Sequence, residues 1–196
     1  MPPIVLLAAG ASSRLGRPKQ LLPYQGKTLL RRAAETAVSA AAGDLVVVVT
    51  GAVHEELLPE LAGLPVHVEH CPTWAAGMGA SLKFGLQALS RLQPQVPGFT
   101  VMLCDQPHVT PGLLWELVEA HARTDRAVAA AEYGRVRGVP AYFAAACHGH
   151  LRRLSDHAGA GQLMREHPEL VVGVPFPEGA IDVDTEEQYA ALLAQG

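Results

Sequence analysis

The stretch Ile4-Val5-Leu6-Leu7-Ala8-Ala9-Gly10-Ala11-Ser12-Ser13-Arg14-Leu15-Gly16-Arg17-Pro18-Lys19 changes character partway along. Its first five residues are apolar without alternation, as in a strand buried on both faces of a sheet. The remainder is mostly small and turn-prone, with three cations. Small residues let backbone amides approach a ligand, and glycine permits the sharp turns this needs. A strand that runs into such a loop reads as the first β-element of an α/β domain, with an anion cradle at its carboxyl end. The loop is not a P-loop: five residues separate Gly10 from Gly16, and the lysine does not follow the second glycine. Nor does it match the dinucleotide fingerprint G-x-G-x-x-G.

Further apolar runs at 45–50, 66–69, 99–103, 127–132, 141–143 and 171–174 are strand candidates. Between them lie helical patterns at 28–41, 54–61, 78–92, 111–124, 144–154, 160–167 and 186–194. Thr28 and Thr110 suit helix N-caps, the second followed by Pro111 at the first helical position. Alternation of this kind predicts one α/β domain over residues 1–196, with a mostly parallel sheet flanked by helices. No repeat or low-complexity linker divides it. The segment 93–98 is a proline-containing loop within the domain.

Ligands in such sheets sit beyond the strand carboxyl ends, so the residues after each strand matter most. Gly77-Met78-Gly79-Ala80-Ser81 leads into a helix and could present amides and a hydroxyl to a ligand, or serve only as a tight turn. Asp105 ends the run Val101-Met102-Leu103-Cys104 and precedes Gln106-Pro107. A carboxylate there could meet magnesium, which takes one or two carboxylates together with water and phosphate oxygens; it could equally cap a turn. Asp182 and Asp184 alternate near the end of the chain and, on a strand, would share a face.

These segments together resemble the MobA-like nucleotidyltransferases, and among them most the molybdenum cofactor cytidylyltransferases. The likeness rests on Leu7-Ala8-Ala9-Gly10, Ser12, Arg14, Gly16 and Lys19, then Gln20-Leu21-Leu22-Pro23 and Gly26. It continues through Gly77-Met78-Gly79-Ala80-Ser81-Leu82, Asp105-Gln106-Pro107, Gly138-Val139-Pro140-Ala141-Tyr142-Phe143 and Ile181-Asp182-Val183-Asp184-Thr185-Glu186. The resemblance implies a Rossmann-like nucleotide-diphospho-sugar transferase fold and transfer of a nucleoside monophosphate to a phosphorylated acceptor. It assigns the nucleotide to Leu7, Ala8, Ala9, Gly10, Arg14, Lys19, Gly79 and Ser81. Catalysis falls to Arg14, Lys19 and Asp105, and Mg2+ to Asp105 and Asp182, leaving Asp184 a structural task. CTP is the donor expected over GTP, because cytidylyl-transferring members read Leu-Ala-Ala-Gly. The acceptor expected is molybdopterin, with a molybdoenzyme as a partner receiving the product. A sugar or alcohol phosphate acceptor, and a non-catalytic protein that delivers a nucleotide or cofactor, are the alternatives. In one segment the chain departs from the family pattern: Gly161 stands where an arginine is usual, with Arg153 and Arg165 nearby.

Composition narrows the partners. With 15 basic and 19 acidic residues the formal net charge is -4, which argues against nucleic acid and anionic membrane surfaces as partners. No apolar run approaches the roughly 20 residues needed to span a bilayer. Met1-Pro2-Pro3 has no basic character, so no signal peptide is expected. Cys71, Cys104 and Cys147 are scattered and read as free thiols of a cytoplasmic protein. His148 and His150 have no third metal ligand at a readable spacing.

Overall fold

A computed structural model of the chain describes residues 2–194; Met1, Gln195 and Gly196, the ends of the expected domain, lie outside the described residues. The strands are β1 Ile4–Ala8, β2 Pro23–Tyr24, β3 Lys27–Thr28, β4 Val46–Thr50, β5 His67–His70, β6 Gly98–Leu103, β7 Val128–Tyr133, β8 Val136–Ala144 and β9 Val171–Pro175. The helices are α1 Leu29–Ala41, α2 His54–Leu61, α3 Met78–Leu92, α4 Pro111–Thr124, α5 His148–Arg153, α6 Ala160–Glu166 and α7 Glu186–Leu193.

Seven strands form one sheet in the order β5-β4-β1-β6-β8-β7-β9. Only β8 runs against its neighbours. The continuous apolar run of β1 follows from its place near the centre of this sheet. Alternate residues point to opposite faces: Ile4, Leu6 and Ala8 pack against α1, α2 and α4, while Val5, Leu7 and Ala9 pack against α3, α5 and α6. Each fully buried leucine, isoleucine or valine of this kind contributes about 1.5–3 kcal/mol. Thr28 and Thr110 cap α1 and α4, their side chains accepting from Arg31 N at 3.1 Å and Leu113 N at 3.2 Å.

Three departures from the sequence reading have local causes. The hairpin β2–β3 turns through Gln25 and Gly26, both at positive φ, and its two-residue strands are too short to show a period. β8 begins at Val136, well before the expected 141, because Gly138 and Pro140 resemble strand breakers. The pairing with β7 shifts register between Ala130 and Ala131, and this irregularity accommodates a residue with no N–H to donate. The helix expected over 144–154 is divided into a 3-10 turn, Ala145–Cys147, and α5. Among the described residues, no helix is long and apolar enough to cross a membrane.

Candidate active site

The loop after β1 is held open by a side chain buried beneath it. Gln20, 1% exposed, donates through Nε2 to Ala8 O at 3.0 Å and to Gly10 O at 2.7 Å. Its Oε1 accepts from Ser12 Oγ at 3.3 Å, and that hydroxyl accepts from Lys19 N at 3.0 Å. Ser12 sits at a φ of 55°, so the chain reverses there. Two carbonyls are thereby satisfied from inside the loop. The other side of the loop faces a cavity of about 360 Å³. The volume suits a small-molecule ligand.

The cavity lies beyond the carboxyl ends of β1 and β6. Leu7, Ala8, Ala9 and Gly10 line one wall, Gly77, Met78 and Ser81 at the start of α3 another, and Lys19 and Asp105 close one end. Trp74 stands at the rim, seated over Gly51: a Cβ on Gly51 would come within 2.7 Å of Trp74 Cβ.

Charge is concentrated at the Asp105 end. Lys19 Nζ forms an ion pair with Asp105 Oδ2 and a second, at 2.7 Å, with Asp184 Oδ1. Burial alone would lower the Lys19 pKa, but the Asp105 charge and the hydrogen bonds to Asp105 and Asp184 outweigh it and hold the ammonium above its ordinary value. The other Asp105 oxygen, Oδ1, is buried and has no hydrogen-bond partner. Arg14 Nη2 meets Asp184 Oδ2 at 2.5 Å, and Arg17 makes two bonds of 2.9 Å to Glu186. Burial would raise the Asp184 pKa; Lys19 and Arg14 reverse this and bring it below the usual carboxylate range. Asp182 is pushed up by burial and by the charges of Asp184 and Asp105. Cys104, buried next to Asp105, has its thiol pushed up to about 12 by burial.

A search of protein-family models matches the MobA-like NTP transferase domain over residues 4–171. The chain belongs to this family. Nicotine blue oxidoreductase of Paenarthrobacter nicotinovorans is 35% identical over 200 residues, spanning 96% of this chain and 95% of the relative. A probable molybdenum cofactor guanylyltransferase of Bacillus cereus (strain Q1) is 26% identical over 196 residues, spanning 94% and 92%. The crystal structure of Rv0371c from Mycobacterium tuberculosis H37Rv in complex with manganese is similar at 29% identity and a TM-score of 0.71, covering 99% of this chain and 98% of that one.

Within this MobA-like frame, most of the residues singled out in the sequence converge and some do not. Leu7, Ala8, Ala9, Gly10, Lys19, Ser81 and Asp105 surround one cavity. Gly79 does not join them. It packs under the turn 155–158, where a Cβ would fall 2.2 Å from Ser155 O, so its smallness serves close packing. Arg14 is not in the cavity wall; its side chain is 70% exposed and reaches round to Asp184. Of the two late acids, Asp184 contacts Lys19 and Arg14 directly, while the capping box of α7 is formed by Thr185 with Gln188. Asp182 Oδ1 accepts from Gln188 Nε2 at 2.9 Å. Among the described residues, no group of three or more His, Cys, Asp or Glu side chains is gathered to hold a metal. At the departure from the family pattern, Arg165 Nη1 lies 3.2 Å from where a Cβ of Gly161 would stand, so a guanidinium covers the glycine from one turn further on. Nothing in the residue pattern marked Trp74 as a wall of the site, and Gln20 was visible only as part of the matching motif.

Proposed function

We propose that the protein transfers a nucleoside monophosphate from a nucleoside triphosphate, CTP in preference to GTP, to the terminal phosphate of molybdopterin, releasing pyrophosphate. The observation that carries this reading is the Asp105–Lys19 pair at the end of a small-residue cavity, with one buried Asp105 oxygen left without a partner. Membership of the MobA-like NTP transferase family supports it. So does the relative named a probable molybdenum cofactor guanylyltransferase, although the base in that name differs from the one proposed for this chain.

The unpartnered carboxylate oxygen is a hard donor of the kind Mg2+ selects, so the residues fit the metal. Asp105 and Asp182 would hold Mg2+, which when bound neutralises charge on the phosphates. The manganese complex of the mycobacterial relative supports a divalent ion in this fold. The base would occupy the cavity between Ala9 and Ser81, with the triphosphate running toward Lys19 and Arg14. An acceptor phosphate oxygen bonds to the α-phosphorus as the bond from that phosphorus to its bridging oxygen breaks, and pyrophosphate departs with the electron pair. The acceptor phosphate is already ionised near neutral pH, so no general base is needed. Positioning and charge neutralisation by Lys19 and Arg14 then account for catalysis.

Ala9 lines the cavity and belongs to the apolar cluster beneath it. It narrows the space a purine would use, and a difference of one methyl supports a preference of only about 1–3 kcal/mol. A cytoplasmic protein that hands its product to a molybdoenzyme completes the proposal.

The test is an acceptor screen with CTP and Mg2+, scored by pyrophosphate release: molybdopterin against sugar and alcohol phosphates. Release with a sugar phosphate alone would move the acceptor and keep the reaction. The relative named nicotine blue oxidoreductase gives a second reading, in which the same cavity serves a redox reaction. That reading, like a delivery protein, predicts binding without pyrophosphate release from any triphosphate.

A further inference from the structure

One carboxylate holds two of the three loop cations. Asp184 gives Oδ1 to Lys19 Nζ at 2.7 Å and Oδ2 to Arg14 Nη2 at 2.5 Å. Two anionic oxygens that each take a separate cation reproduce one edge of a phosphate group. Nothing in the local structure requires this arrangement of Asp184. The cap of α7 is made by Thr185, and the Asp184 N–H is satisfied by Gln188 Oε1 at 2.8 Å. The segment is anchored independently. Val183, Tyr189 and Leu192 pack with Leu15, Leu22, Tyr24 and Leu29, and Tyr189 donates to Pro23 O at 2.7 Å. The Asp184 side chain can therefore change partners without unfolding α7.

We infer that Asp184 is an internal phosphate stand-in, a positioning residue that holds Arg14 and Lys19 ready and yields them to the incoming triphosphate. The inference rests on the nucleotidyl-transfer reading of the same site. The exchange is anion for anion, so neither cation is left unpaired, and Lys19 keeps Asp105 throughout. Such a residue has an affinity cost: the ligand must displace the carboxylate before it gains the cations. Its benefit is geometric, since two flexible cationic side chains are ordered before the ligand arrives.

The experiment is calorimetric binding of inorganic tripolyphosphate and of CTP, with chelator present. The proteins are wild type, Asp184→Asn, Arg14→Ala and the double variant. An amide at position 184 is expected to tighten both ligands by about tenfold, the scale of one charge-assisted hydrogen bond. Glu187→Gln, the same charge change on an exposed neighbour, is expected to stay within about twofold, as surface charges are largely screened. Arg14→Ala should cost more affinity in the Asp184→Asn background than in wild type, because only in wild type must Arg14 first surrender a carboxylate. Equal losses in the two backgrounds would mean a general field effect and overturn the inference, as would weaker binding by Asp184→Asn. Should that variant fail to fold, Asp184→Ser makes the same comparison. Binding of both ligands without gain in the variant sinks this inference alone; no binding of CTP by any protein, with Mg2+ in place of the chelator as well, sinks the nucleotidyl-transfer reading with it.

Discussion

The two halves of the sheet do different work, and they were unequally legible. On one side of β6 lie β1, β4 and β5, all parallel, and the segments after β1 and β5 line the cavity. On the other lie β8, β7 and β9, where one strand is reversed, its pairing shifts register, and the chain returns through short helices. The first half is built from regular units whose loops line most of the cavity. The second half meets the segment after β6 through Val139 O, which accepts from Gln106 Nε2 at 2.9 Å, and carries the departure at Gly161. Under the proposed function, the regular half would hold the triphosphate and the irregular half would face the acceptor.

The largest effect expected is at the seam. Asp105→Asn keeps the shape but removes the charge that pairs with Lys19 and would meet the metal. Turnover should fall by about two orders of magnitude or more, while the thermal melt stays cooperative. Steady-state rates at saturating Mg2+ check this, and near wild-type turnover would remove Asp105 from the mechanism. Next is Lys19→Ala, which takes a charge-assisted contact of about 1.5–3 kcal/mol from the phosphates. It also leaves Asp105 and Asp184 facing each other. Triphosphate affinity or rate should drop at least about tenfold, and titration with CTP shows which. If neither changes, the lysine serves folding only.

Gln20→Leu tests whether the regular half depends on its buried staple. Ala8 O and Gly10 O lose their donor, at a cost of about 1–3 kcal/mol in stability. Triphosphate should bind more weakly to the folded fraction. A lower Tm with unaltered Kd would confine Gln20 to the core.

Smallest is a pH effect within the charged seam. The Asp184 pKa is lowered in the folded state, so its contribution is complete above the unfolded carboxylate value and is lost as pH falls through the folded one. Asp182 works oppositely: its pKa is raised, so its ionisation as pH rises costs stability. Asp184→Asn should therefore flatten the acid limb of a Tm-against-pH curve, and Asp182→Asn should raise stability near neutral pH. An unchanged acid limb in the first variant would mean that the Asp184 ion pairs contribute nothing to stability.

The fold was readable because burial on both faces leaves an unmistakable apolar run, as in Ile4 to Ala8 and Val46 to Thr50. Hairpin β2–β3 was not readable because two residues carry no period, nor was the early part of β8, because Gly138 and Pro140 argue locally against a strand that its neighbours impose. In the site, Lys19 was visible as a cation in the loop after β1, and Asp105 as a carboxylate at the end of β6 that could meet a metal or cap a turn. Residues whose role depends on partners far along the chain were not. Asp184 meets Arg14 across 170 residues, and no local pattern distinguishes it from Asp182 two residues before. Gly79 also packs under a distant turn, a contact that its motif does not reveal.

The central question is whether the nucleotide's own phosphate is transferred. The most direct measurement incubates the protein with CTP labelled in the α-phosphate, Mg2+ and molybdopterin, and follows the label by chromatography and mass. The predicted result is label in a new cytidylyl–pterin product, pyrophosphate released in equal amount, less product from GTP, and none detectable from Asp105→Asn. Label remaining wholly in CTP while the protein binds it would contradict nucleotidyl transfer; equal or greater transfer from GTP would contradict the cytidylyl preference alone.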